Sequence, residues 1–156
     1  MNVSNVQRIP LQLSQGCIFA SIQIDLTAEV LQQFRQDILD WLHTNRARGI
    51  IVDLSGVEIM DLQDFETLRR TLSMAAMMGV ETILTGFQPG VVSALVDLNA
   101  NVDSIYAALD IDDALQLMNK LRPLNQDVEL LPETFNQEYS QEINESSQLN
   151  LDSDQE

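Results

Sequence analysis

The stretch Ile50-Ile-Val-Asp-Leu-Ser-Gly-Val-Glu-Ile-Met-Asp-Leu-Gln-Asp-Phe65 constrains this chain more than any other. Ile50 to Leu54 is nearly continuous in apolar, largely β-branched residues. That pattern marks a central strand covered on both faces. A tight loop with acidic side chains follows, and then the first turn of a helix. Asp61 reads as its N-cap, with Asp64 at the third helical position, where a carboxylate is also favoured. The loop between Leu54 and Asp64 is the first candidate for a functional surface.

The preceding chain prepares a neighbour for this strand. Ile9-Pro-Leu-Gln-Leu13 and Cys17-Ile-Phe-Ala-Ser-Ile-Gln-Ile24 are strand-like runs separated by a Gln15-Gly16 turn, the layout of a β-hairpin. Pro10 confines the first run to an edge, and Leu11 and Leu13 alternate with Gln12 and Ser14 as a half-buried edge does. Thr27 caps a helix with apolar residues at Val30, Leu31, Phe34, Ile38, Trp41 and Leu42. Arg46 and Arg48 suit the end of that helix, and Gly49 gives the chain its exit. A helix between Ile24 and Ile50 supplies the crossover that a parallel strand pair requires.

Beyond the central loop a helix runs through Phe65, Leu68, Leu72, Ala75, Ala76 and Met78 to Gly79. Arg69 and Arg70 face outward, and Met74, Met77 and Met78 read as flexible core filling. Thr82–Thr85 is a further strand. Gly86-Phe-Gln-Pro-Gly90 leads into a helix over 91–98 with Pro89 at its first turn, and Asn99 and Asn101 are left-handed stops. A short strand lies around Ser104–Tyr106, and Asp110 caps a last helix that Pro123 closes. The order β-β-α-β-α-β-α-(β)-α predicts an α/β domain over residues 1–122, a mixed β-sheet with helices mainly on one face. Residues 123–156 hold nine acidic residues and no Lys or Arg, with little apolar periodicity, and predict a disordered acidic tail.

Charge and composition exclude several function classes. The net charge of −16 opposes duplex nucleic acid and anionic membrane surfaces as partners. No apolar run is long enough to span a bilayer, and no secretion-signal layout opens the chain. The single cysteine, Cys17, forms no internal disulfide, so the expected location is cytoplasmic. The single histidine, His43, reads as a surface residue with no nucleophile or acid arranged around it.

Val52-Asp-Leu-Ser-Gly-Val57, Met60-Asp61, Gly79-Val80 before a strand and Leu84-Thr-Gly-Phe-Gln-Pro89 together resemble the STAS domains of anti-sigma-factor antagonists, with Ile9-Pro-Leu, Ser21-Ile-Gln and Val96-Asp-Leu98 adding to the likeness. The resemblance spans roughly residues 8 to 121 and is nearest to the scaffold members of the stressosome. It implies a non-enzymatic scaffold or antagonist without cofactor, which assembles with paralogous STAS-domain proteins and holds a serine/threonine switch kinase. In the family pattern the residue after the Met-Asp pair is the phosphorylated Ser or Thr. Here it is Leu62, which has no hydroxyl, so no phosphorylation is expected there, and Ser55 lies too early in the loop to replace it. The expected partner-binding residues are Asp53, Ser55, Glu58, Asp61, Leu62, Gln63, Asp64, Phe87 and Gln88. Asp61 and Asp64 also place negative charge where a phosphate would sit, although a carboxylate carries less charge and fewer acceptor oxygens. Simple helix capping is the plainer reading of both, with the phosphate-like charge as its alternative. Asp53 is the sharper candidate, because a carboxylate buried at a strand end needs a partner.

A rival class is a small Mg²⁺- or nucleotide-binding enzyme, or a ligand sensor, using Asp53, Asp61 and Asp64, since hard cations take oxygen ligands. The absence of a Gly-rich phosphate loop and of a matched base or nucleophile weighs against the enzyme.

Overall fold

The computed structural model describes residues 5–124. In chain order the elements are β1 (Leu11–Ser14), β2 (Cys17–Ser21), α1 (Ala28–Thr44), β3 (Gly49–Asp53), α2 (Leu62–Met77), β4 (Glu81–Thr85), α3 (Pro89–Asp97), β5 (Tyr106–Ala108) and α4 (Ile111–Leu121). They form the mixed α/β sheet expected from the sequence. The expected disorder of the acidic segment falls, beyond Leu124, outside the described residues.

The five strands lie in sequence order, β1 antiparallel to β2 and all later neighbours parallel. A sheet extended one strand at a time in one direction, with crossovers of one hand, carries its crossover helices on one face. That is what the core records. Val30, Leu31, Phe34 and Ile38 of α1, Phe65, Leu68 and Leu72 of α2, and Val91 and Leu95 of α3 pack with Ile18, Ala20, Ile50, Val52 and Leu84 of the strands. Among the described residues the opposite face has only α4, whose Ala114 and Met118 close over Cys17, Ile51 and Ile83. Gly49 to Val52 are buried on both sides, so the central strand is covered as its composition requires.

Cap chemistry sets the helix starts. Thr27 Oγ1 accepts from Val30 N at 3.2 Å, and Asp110 Oδ1 accepts from Asp113 N at 2.9 Å. Each satisfies one of the N–H groups that a helix start leaves unpaired. Asn99 is left-handed, with φ of 52°, just past α3. Asn101 is not, and instead its Oδ1 accepts from Asp103 N.

Several expectations change. The first two strands are shorter, and β5 lies two residues later than the Ser104–Tyr106 reading. Helix α1 stops at Thr44 with Asn45 as its cap, so Gly49 is not its exit but the first residue of β3. Arg48 accordingly serves a different helix. Its Nε donates to Gln15 O at 2.9 Å, and its Nη1 donates to Asn119 Oδ1 at 2.7 Å and Arg122 O at 2.8 Å. It thereby caps the C-terminus of α4 and fastens it to the β1–β2 turn. Met74, Met77 and Met78 are exposed, Met77 to 89%, and fill no core. Arg70 is exposed, but Arg69 is half-buried and pairs with Glu66 at 2.8 Å. Leu13 is 44% exposed, less covered than a half-buried edge implies.

Candidate functional site

The loops after β3 and β4 meet at the carboxyl ends of the parallel strands, the rim on which α/β sheets gather their binding loops. Ladder-like bonds continue past the strands and hold this rim. Ile22 N donates to Asp53 O at 3.0 Å, and Leu54 N donates to Thr85 O at 2.8 Å.

Asp53 ends β3 half-buried and does have a partner. Its Oδ1 accepts from Ser55 N at 3.0 Å and its Oδ2 from Ser55 Oγ at 3.1 Å. The pair forms an Asx turn that starts the loop. Ser55 O then accepts from Gln88 Nε2 at 2.6 Å, which ties the β3–α2 loop to the β4–α3 loop. Gly86, at φ +76°, makes that closeness possible. A Cβ there would lie 2.7 Å from Asp53 Oδ1 and 2.9 Å from Ser55 N.

The middle of the loop alternates between anchors and exposed groups. Leu54, Val57 and Met60 are buried in the main core, while Ser55, Gly56, Glu58, Ile59 and Asp61 are exposed. Three anchors in seven residues make this a braced loop. Asp61 Oδ1 accepts from Asp64 N at 2.7 Å, and Asp64 Oδ2 accepts from Asp61 N at 3.4 Å, a reciprocal capping box. Burial pushes the Asp64 carboxyl above its ordinary value; the donated Asp61 N–H opposes this, and the Asp61 charge adds to it. Leu62 is the first residue of α2 and half-buried, directly behind the cap, and Gln63 beside it is exposed. Phe65, 1% exposed, pins the helix start into the core.

The nine sequence candidates therefore share one rim, with different roles. Asp53, Ser55 and Gln88 build and brace it. Asp61 and Asp64 cap α2, and Phe87 is half-buried against the core. Glu58, Leu62 and Gln63 face outward in full or in part. Sequence reasoning missed Ile59, which is 85% exposed in the middle of the acidic loop. An apolar residue in a loop carries no periodicity to say which way it points. Behind the rim, on the face that carries α4, Asp53, Ser55, Gly86, Asp110 and Asp112 line an open cleft of about 310 Å³. Among the described residues no three His, Cys, Asp or Glu side chains come together as a metal-ligand group, so Asp53, Asp61 and Asp64 do not form the imagined Mg²⁺ set. No helix among the described residues is long and apolar enough to cross a membrane.

Comparison with curated protein sequences found no match. Among solved structures the chain is similar to a Ser-to-Glu variant of RsbS from Moorella thermoacetica, at 22% identity and a TM-score of 0.64, covering 74% of this chain and 97% of that one. A chain of the stressosome, a signal integration and transduction hub, matches at 21% identity and a TM-score of 0.63, covering 72% of this chain and 97% of that one. The anti-sigma-factor antagonist SpoIIAA in its unphosphorylated form matches at 14% identity and a TM-score of 0.55, covering 73% and 96%. At such identities these likenesses establish a shared fold. The family model described as the STAS domain matches residues 8–114, well over half of the chain. A match of that extent, over a sheet and helices arranged as in these structures, makes this chain a member of the STAS-domain family.

Proposed function

We propose that this protein is a non-enzymatic regulatory scaffold or antagonist of a cytoplasmic, stressosome-type partner-switching complex. Its rim loops dock paralogous STAS-domain proteins and a serine/threonine switch kinase, through Glu58, Leu62, Gln63 and Phe87 and with Ile59 at the centre. Asp53, Ser55, Asp61, Asp64 and Gln88 hold those groups in place. The observation that carries the reading is the placement of Leu62 at the first position of α2, behind the Asp61 cap. A residue there cannot accept phosphate without a hydroxyl, so the docking surface is constitutive and lacks the covalent switch.

The test is co-purification with a companion STAS protein and its switch kinase, followed by incubation with ATP and mass spectrometry. Co-assembly is expected, with residues 55–65 unmodified and phosphate acquired by a Leu62→Ser variant. Phosphate on Ser55 of the parent protein would refute the constitutive surface, and failure to co-assemble would refute the scaffold. A thermal-shift titration with Mg²⁺ and nucleotide separates the enzyme class, because a ligand specific for the native state raises the melting temperature.

A further inference from the structure

A second surface lies beside the rim. Helix α3 and the chain entering β5 enclose an open apolar groove of about 340 Å³. Phe65 and Leu95 form its buried floor. Val92, Val96, Val102 and Ile105 form its walls, with Val96 68% and Val102 58% exposed. Four β-branched side chains lining one concavity, two of them mostly in water, exceed the scattered single exposures ordinary on a soluble surface.

The charge around the groove says what covers it. Helix α3 and the chain from it to β5 carry no Lys, Arg or His, while Asp97 and Asp103 in that stretch are acidic and exposed. Asp97 and Asp103 follow Val96 and Val102, the two most exposed wall residues, in the sequence, and both carboxylates are exposed outside the apolar lining. Arg69 of α2 pairs with Glu66 and lines the adjoining cavity with Asp103, which leaves Asp97 as the carboxylate with no cation on its own element. A second copy of this chain would bring the same carboxylates together, and like charges across an interface are unfavourable. The geometry points to a docking groove for a partner polypeptide segment that presents two or three large apolar side chains flanked by Lys or Arg. The apolar side chains fill the concavity, and the flanking cations meet Asp97 and Asp103. Phe87 lines the groove as well as the β4–α3 loop, so the groove continues the rim surface without depending on the scaffold reading.

The probe is a fluorescein-labelled twelve-residue peptide with three leucines spaced among lysines, titrated into the full chain by anisotropy. Two control peptides replace its leucines with serine or its lysines with glutamate. The leucine–lysine peptide is expected to bind more tightly than either control. The double variant Val96→Ser, Val102→Ser is expected to weaken it by about tenfold, as truncating well-placed apolar contacts does. Because both positions are mostly exposed, the variant keeps its fold, which an unchanged thermal melt checks. Equal binding of the serine–lysine peptide would reduce the interaction to net charge and overturn the proposal. So would equal binding of the glutamate peptide, an unchanged affinity in the double variant, or sedimentation showing a dimer that the double variant abolishes. Substituting Ile59 and Gln63 tests the rim separately and is expected to leave this titration unchanged.

Discussion

Replacing Gly86 with alanine tests whether the two rim loops are braced against each other. The residue sits at φ +76°, where a Cβ meets the following carbonyl at a cost of about 1–2 kcal/mol. The new Cβ would also lie 2.7 Å from Asp53 Oδ1 and 2.9 Å from Ser55 N, a separation that real Cβ atoms do not tolerate. Relief requires the Asp53–Ser55 turn to open. That loosens two hydrogen bonds within the turn and the one from Gln88 to Ser55 O. At about 0.5–1 kcal/mol for each exposed bond, the loss adds roughly 2 kcal/mol to the backbone strain. The total, about 3–4 kcal/mol, is a large share of the 5–15 kcal/mol typical of a domain. Urea unfolding followed by the fluorescence of Trp41, the single tryptophan, measures it. Gly79→Ala is the control for strain alone, since Gly79 is at φ +90° with nothing within 4 Å of an added Cβ. Gly90→Ala, inside α3 with equally open space, is expected to stabilise by up to about 1 kcal/mol. In an Asp53→Ala background the Gly86 substitution should cost at least about 1 kcal/mol less, because its closest obstacle has gone. Equal losses for Gly86→Ala and Gly79→Ala would refute the bracing.

Asp61→Ala should destabilise the protein by about 1 kcal/mol and Asp61→Asn far less, since asparagine caps nearly as well, as chemical denaturation of both variants would check. The Asp64 carboxyl, raised mainly by burial, binds its proton more tightly folded than unfolded. Stability therefore falls as pH rises from the ordinary carboxylate value to the raised one, and Asp64→Asn removes that component. A carboxyl NMR titration of Asp64 should also move down in Asp61→Asn, because the neighbouring charge that raises it is lost. Cys17 is fully buried, and burial pushes its thiol up while Arg48 pulls it down, so Ellman's reagent should modify it only as fast as the protein opens.

The helices and strands were legible because their apolar residues repeat with a period that names the buried face. Phe65, Leu68, Leu72 and Ala75 trace one stripe, and the structure buries that stripe. Composition without angle misled at Met74, Met77 and Met78, which lie off the stripe or past its end. Thr71 went the other way. It is buried despite its hydroxyl, because Oγ1 donates back to Thr67 O at 3.1 Å. In the rim loop, Val57, Ile59 and Met60 look alike in sequence, yet only Ile59 stays in water. With no helix or strand period to orient them, only contact with the rest of the core distinguishes the three. The partner that a strand-end carboxylate at Asp53 needs is Ser55, two residues away in its own turn. Arg48 was illegible because its partners lie 33, 71 and 74 residues distant.

That distance bears on the lifetime of the folded state. Bonds from Arg48 to Asn119 and to Arg122 O form only after the two parallel crossovers that follow β3 have brought the last helix back against it. Contacts that wait for such closure belong on the native side of the folding barrier. They slow the opening of the assembled sheet and contribute little to how fast it first forms. The clasp between the β1–β2 turn and the last helix thus works as a latch on unfolding at the end of the sheet opposite the rim loops.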